Sequence, residues 1–238
     1  MFKHETQVIK FLLQWYSVNA RNLPWRKKNN LNLPHPYFVF VSEYMLQQTT
    51  VNTVKNKFND FILKWPSLNK LAQTSEPNIL KFWSGLGYYS RARNLLKSAK
   101  IIHKNFKNHI PKTYDELIQL PGIGDYTAKA ILGIGYNKSV MPLDANIERI
   151  LVRLHAIDKP INKVKNKLKD LGNKFISDKF SSNLIQSFMD YGSEICLPRN
   201  PKCNICGINK FCQSYKKNLQ QKIPLKLKKK TIKPIKYT

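Results

Sequence analysis

The stretch LPGIGDYTAKAIL, residues 120–132, decides how the rest of the chain is read. It sets the end of one apolar helix at Leu120 against a second helix beginning near Asp125, with Pro121, Gly122 and Gly124 between them. Glycine reaches positive φ without a Cβ penalty, so Gly122 and Gly124 suit a tight turn between two helices. They also leave backbone N–H groups uncovered at the start of the second helix, where the helix dipole favours an anion. The turn is therefore a candidate phosphate cradle built without side chains, although any helical hairpin can use glycine this way.

Helical spacing continues on both sides of the hairpin. Val8, Ile9, Leu12, Leu13 and Tyr16 recur at three and four residues near the start. So do Val51, Val54, Phe58, Phe61, Ile62 and Trp65, and again Leu95, Leu96, Ala99, Ile102 and Phe106. Prolines at 66, 77, 111, 121, 142 and 160 punctuate these segments at intervals of a short helix plus a turn. No strand-length alternation and no internal repeat stands out, so an all-α fold is expected. Residues 217–238 read as a basic tail or linker, since nine lysines fall between 216 and 236 with little to pack.

Charge narrows the partner. The 238 residues hold 41 Lys and Arg against 14 Asp and Glu, a net +27. Such an excess favours polyanions, either nucleic acid or an anionic membrane surface. Bias toward Lys, Asn and Ile could raise the lysine count alone, but acidic residues are also scarce, so the imbalance is more than compositional drift, and nucleic acid is the expected partner. The opening MFKHETQVIKFLLQWYSVNA lacks the pattern of a secretory signal, and no apolar run is long enough to span a bilayer. A cytoplasmic, nucleoid-associated protein is expected.

That compartment disfavours disulfides for the only four cysteines, which lie in CLPRNPKCNICGINKFC, residues 196–212. Their spacing is C-x6-C-x2-C-x5-C through Cys196, Cys203, Cys206 and Cys212. One C-x2-C knuckle flanked by two single cysteines is compatible with zinc or with an iron-sulfur cluster, and spacing alone does not choose. In VMPLDANIERILVRL, residues 140–154, Asp144 stands just before a helix, and on this stretch alone a helix cap accounts for it.

Together these segments resemble the helix-hairpin-helix DNA glycosylases that carry an iron-sulfur cluster, and within them the MutY-type adenine glycosylases. The resemblance runs from about Trp15 to about Cys212. It rests on LPWR (23–26), SEYMLQQT (42–49), WSGLGYYSRARNL (83–95), LPGIGDYTA (120–128), LDAN (143–146) and the cysteine loop. Endonuclease III shares the hairpin, the aspartate and the cysteine spacing, whereas SEYMLQQT and GLGYYSRARNL look specific to the adenine-removing branch.

The resemblance implies roles residue by residue. Glu43 matches the general acid that protonates adenine N7, and Asp144 the carboxylate that stabilises the cationic sugar. For Glu43 to hold a proton near neutral pH, its apolar surroundings (Phe38, Val39, Phe40, Val41, Met45, Leu46) would have to raise its pKa. Tyr126 stands where lyases have a Schiff-base lysine, which implies a monofunctional enzyme, with Lys129 one turn further on as the residue to watch. Asn146 and Arg26 match residues near the reacting sugar and base. Gln47, Gln48, Thr49, Leu86, Gly87 and Tyr88 resemble the wedge that enters the duplex, and Arg91 and Arg93 are expected on phosphates along with Gly122 and Gly124. The four cysteines are expected to hold a 4Fe-4S cluster. Tyr44, where relatives more often have a small aliphatic residue, and Ala145, where many have glycine, depart from the pattern.

The expected architecture is two-lobed: a helical barrel module at 25–133 carrying the hairpin, and a cluster-bearing lobe made of 1–24 plus 134–216. The expected partner is double-stranded DNA containing adenine mispaired with 8-oxoguanine or guanine, bound by a monomer, with no membrane role. Adenine glycosylases of this type continue into a second domain that contacts 8-oxoguanine. The sequence here stops at Thr238, within what looks like the linker to it, which implies a chain lacking that domain. Three other readings remain open: an endonuclease III-like glycosylase/lyase for damaged pyrimidines, a mismatch thymine glycosylase, and a non-catalytic DNA-binding module. The presence of both Glu43 and Asp144 argues against the last.

Overall fold

The computed structural model describes residues 3–27 and 32–225. Among these residues the regular elements are all helical. In chain order the helices are α1 (Lys3–Asn19), α2 (Pro36–Leu46), α3 (Val51–Lys64), α4 (Leu68–Ala72), α5 (Glu76–Trp83) and α6 (Ser90–Asn105). They are followed by α7 (Tyr114–Ile118), α8 (Asp125–Ala130), α9 (Ala145–Leu154), α10 (Lys165–Asn173), α11 (Ser181–Glu194) and α12 (Gln213–Lys216). No helix among the described residues is long and apolar enough to cross a membrane.

Local chemistry sets the boundaries. Pro36 opens α2 at a position where its missing N–H costs nothing, and the His35 side chain accepts from Tyr37 N. Thr50, Ser67, Thr113 and Asp144 each accept a backbone N–H at the start of α3, α4, α7 and α9. At α7 the Thr113 hydroxyl accepts from Glu116 N and donates to the Glu116 carboxylate, which holds the cap in place. Caps of this kind are each worth about 1 kcal/mol, enough to fix where short helices begin.

α2 is the central helix. Its residues Tyr37 and Val39 through Met45 are all buried, so it packs on several sides, whereas α3 and α6 bury one stripe each. α4 and α5 pack on α6, and α1 and α9 pack on α11. The two groups meet at α8, which runs on as a π-helical turn, Ile131–Gly135, packed on both α2 and α11. One cluster of buried apolar side chains extends through both groups, from Val8 to Ile223.

Two details refine the sequence reading. In the hairpin only Gly122 is left-handed (φ 81°), while Gly124 is extended and sits as the residue preceding α8. The unusual Tyr44 is fully buried, with its hydroxyl 2.9 Å from Ser98 Oγ and 2.5 Å from the Pro121 carbonyl, so it ties α2 to the hairpin turn. At the other end of the chain, the stretch from 217 packs as far as Ile223, which is buried and whose carbonyl accepts from Arg153. Residues 226–238, which carry most of the expected tail's lysines, lie outside the described residues.

Candidate active site and cysteine loop

A cavity of about 320 Å³ opens between α2, α8, α9 and α11. Glu43, Tyr126, Asp144, Asn146 and Arg26 all line it, together with Thr49, so one site gathers residues from four separate sequence segments. Glu43 projects from the apolar α2 and is only 6% exposed. Burial, reinforced by the negative charge of Asp144, pushes its carboxyl up to about 8, against the pull of a hydrogen bond from the Tyr126 hydroxyl.

Asp144 is both cap and cavity residue. Its Oδ1 accepts from Ile147 N at 2.7 Å and its Oδ2 from Asn146 Nδ2 at 2.9 Å. Burial raises its carboxyl above the usual range, opposed by these donors and by Arg149. The chain of contacts continues outward: Arg149 donates to Asn146 Oδ1 at 2.8 Å, and also to the carbonyls of Gly192 and Cys196. α9 and α11 cross so closely here that a Cβ on Gly192 would lie 2.5 Å from Asn146 Cβ. A glycine at 192 is thus a requirement for placing Asn146, and any larger residue would push α9 away from the cavity.

Other expected residues stand differently from their first reading. Arg26 reaches the cavity wall, but both its terminal nitrogens are held by Asp190, at 2.6 and 2.8 Å. Burial alone would raise the Asp190 carboxyl; Arg26 and Arg21 overcome it and hold it below the usual range. Arg91, expected on phosphates, is instead buried, with its guanidinium donating to five backbone carbonyls. It cannot reach a phosphate because its N–H groups already face inward. Leu86, expected in the wedge, is also buried at 5% exposure, and Gln47 donates to the Gly122 carbonyl of the hairpin. Gln48, Gly87 and Tyr88 are exposed, and Gln48 and Tyr88 hold left-handed backbones (φ 54° and 46°) although they carry side chains. Gly87 precedes Tyr88 in the turn between α5 and α6, and Thr49 bonds weakly to the Leu86 carbonyl. Arg93 remains at the surface, paired with Glu76 at 2.8 Å. Lys129 lies outside the cavity lining, ion-paired with Asp125 and over the Tyr114 ring.

α11 supplies residues that the sequence reading missed. Gln186, Met189 and Ser193 line the cavity, and Asp190 anchors Arg26. The available signal was a polar series, Ser182, Gln186, Asp190 and Ser193, recurring at helical spacing on a helix that packs inward. Gln186 is 2% exposed; its amide nitrogen donates to Ser182, and its Oε1 has no partner.

Cys196, Cys203, Cys206 and Cys212 line a second, small cavity together with Arg153, Tyr215 and Gln220. Two short 3-10 turns, Cys203–Ile205 and Asn209–Phe211, bring the cysteines round it. Donors are aimed at sulfur: Arg153 Nη1 lies 3.3 Å from Cys196 Sγ, and the Tyr191 hydroxyl 3.3 Å from Cys206 Sγ. Among the described residues no three His, Cys, Asp or Glu side chains converge on one point as a single ion requires. Four thiols around one cavity, with outer donors to sulfur, are a donor set that fits a thiolate-bound metal group.

Residues 41–174 match the HhH-GPD superfamily of base excision DNA repair proteins. The chain belongs to this superfamily. HhH-GPD relatives include an adenine DNA glycosylase of Buchnera aphidicola subsp. Schizaphis graminum, 42% identical over 94% of this chain and 64% of the relative. The adenine DNA glycosylase of Homo sapiens is 35% identical over 94% of this chain and 42% of its own length. The chain thus spans less than two thirds of these curated relatives. Among solved structures, a thermostable thymine-DNA glycosylase superposes with a TM-score of 0.80 at 25% identity, over 90% of this chain and 98% of that one. An endonuclease III–DNA complex shares the fold (TM-score 0.72, 18% identity, over 92% of this chain and 100% of that one).

Proposed function

We propose that the chain is a monofunctional DNA glycosylase that hydrolyses the N-glycosidic bond of adenine mispaired with 8-oxoguanine or guanine. The observation that carries this reading is the pair of buried carboxyls, Glu43 and Asp144, in one cavity, where burial pushes the Glu43 carboxyl up to about 8. Breaking a purine glycosidic bond leaves positive charge on the sugar and negative charge on the base. It therefore calls for an acid at the base and an anion at the sugar.

In this account the adenine leaves the stack and enters the cavity, as enzymes acting on a base within a duplex require. Glu43 gives its proton to N7, so the base departs neutral. Asp144, held by the start of α9, faces the cationic sugar. Water then adds to C1′, its proton returns to the Glu43 carboxylate, and an abasic site remains.

Base choice would involve Gln186, which lines the cavity and whose buried Oε1 has no partner; turned toward an entering base, that oxygen would accept from the exocyclic amine of adenine, whereas thymine offers a carbonyl at the corresponding edge. This favours adenine over the thymine-removing reading, which Tyr126 and LDAN would also suit. The hairpin backbone and the basic surface suit DNA phosphates.

Strand cleavage by a Schiff base needs an amine in the cavity, and Tyr126 supplies a hydroxyl there while Lys129 is engaged outside. Incubation with an A:8-oxoguanine duplex is expected to release adenine and to give strand breaks only after alkali. Covalent trapping of the unaltered protein by borohydride would contradict the monofunctional assignment.

Cys196, Cys203, Cys206 and Cys212 would hold a 4Fe-4S cluster. When bound, such a cluster cross-links the loop at four points and absorbs broadly on the order of 400 nm. Protein purified anaerobically should be brown and contain iron and acid-labile sulfide; zinc without iron would overturn the assignment.

A further inference from the structure

Arg91 lies in the first turn of α6, yet its guanidinium is directed at two other segments. Nη1 donates to the carbonyls of Tyr44 (3.2 Å), Met45 (2.7 Å) and Gln47, at the end of α2. Nη2 donates to the carbonyls of Leu86 (2.7 Å) and Gly87 (3.0 Å), in the turn between α5 and α6. The same group lies 5.6 Å from the ring centroids of both Trp83 and Tyr88.

Two of these carbonyls matter most. The Gln47 carbonyl belongs to the peptide plane that leads into Gln48, and the Gly87 carbonyl to the plane that leads into Tyr88. Gln48 and Tyr88 are both exposed, and they are the non-glycine residues of the two turns with left-handed backbones, which side-chain-bearing residues rarely adopt. Such conformations persist only where the surroundings over-determine them. Trp83 Nε1, donating to the Gly87 carbonyl at 3.2 Å, adds to the restraint on one turn, and Thr49 Oγ1 reaches across from the first turn to the Leu86 carbonyl of the second at a long 3.4 Å. The Arg91 fork ties the two turns far more extensively, through three carbonyls of one and two of the other.

We propose that Arg91 is a positioning residue that fixes Gln48 and Tyr88 relative to each other, so that the two turns enter the duplex as one rigid wedge. This rests on the glycosylase reading above. A planar fork can bridge two turns, whereas a lysine, a single point charge with a different reach, cannot reproduce the arrangement. Without the bridge each turn relaxes separately, and binding energy goes into re-forming the wedge rather than unstacking the adenine.

The test uses the full chain carrying Glu43→Gln, so that binding is seen without excision. A 2-aminopurine beside the target adenine reports unstacking. Adding Arg91→Lys is expected to reduce the fluorescence gain on binding an A:8-oxoguanine duplex by about fivefold, with binding to undamaged duplex within about twofold. In the Glu43 parent, Arg91→Lys should slow single-turnover excision by about tenfold. A neutral Arg91→Gln should leave the slope of log affinity against log salt unchanged, whereas a direct phosphate contact would lower it by about one. Should circular dichroism show that Arg91→Lys fails to fold, Trp83→Phe, which deletes one donor to Gly87, should shift the fluorescence in the same direction by a smaller factor. Retention of the full fluorescence gain in folded Arg91→Lys, or in Trp83→Phe where the lysine variant does not fold, overturns the proposal, as does a reduced salt slope in Arg91→Gln. No fluorescence gain with Arg91 intact would overturn the wedge reading itself.

Discussion

Glu43→Gln is expected to lower adenine excision by about a hundredfold or more while leaving affinity for the mispaired duplex nearly unchanged. The amide keeps the shape and hydrogen-bonding capacity of the carboxylic acid but has no proton to deliver, and loss of a positioned general acid typically costs a factor of this size. The pH profile gives an independent signature. With the Glu43 carboxyl near 8, the protonated form dominates at neutral pH, so excision should fall about tenfold per pH unit once the medium is well above that value. That alkaline limb should vanish in the variant. Single-turnover rates across pH 5 to 10 check both points, and activity within a few fold of the parent would make Glu43 a bystander.

The same residue should limit stability. A glutamate in an unfolded chain titrates at roughly 4.3, well below its folded value. Between those two pH values the folded state holds a proton that the unfolded state has released, so stability falls as pH rises through the window and levels off above about 8. Glu43→Gln removes that cost. Its melting temperature should exceed the parent's at pH 8 and match it near pH 4.

Asp144→Asn should be nearly as damaging, about a hundredfold to a thousandfold, for a different reason. Asparagine is as good a helix cap as aspartate, so the hydrogen bond from Ile147 N survives and α9 should form as before. What disappears is the negative charge facing the sugar as it becomes cationic, and charge of this kind, fixed in a dry site, is worth several kcal/mol in a transition state. Because burial raises the Asp144 carboxyl, the acid limb of the parent's profile should begin above the ordinary aspartate range, and this limb should be absent in the variant. Matching thermal melts for the two proteins, alongside the rate loss, would separate charge from capping.

Much of this site was legible in the sequence because its parts are locally encoded. The glycine turn, the aspartate before a helix and the lone glutamate in an apolar helix each carry a short-range signature, and the two carboxylates reach the same cavity. What could not be read were inward-facing polar groups whose partners lie far along the chain. Arg91 in a basic stretch reads as a surface charge; only the meeting of α2 with the turn before α6 gives it five buried carbonyls. Leu86 reads as a wedge by its place between two glycines, but the turn buries it while Tyr88 is left outside. Gln186 and Asp190 look like ordinary polar positions until α11 is seen packed between α1 and α9, which sets Gln186 in the cavity wall and Asp190 against Arg26. Gly124 looks as free as Gly122, yet the turn needs one left-handed residue, not two.

The measurement that tests the central claim most directly is single-turnover base release from four duplexes, containing A:8-oxoguanine, A:G, T:G and thymine glycol, with free bases identified by chromatography. The account predicts adenine from the first two and no pyrimidine base from the others. Release of thymine or thymine glycol, with adenine left in place, would contradict it.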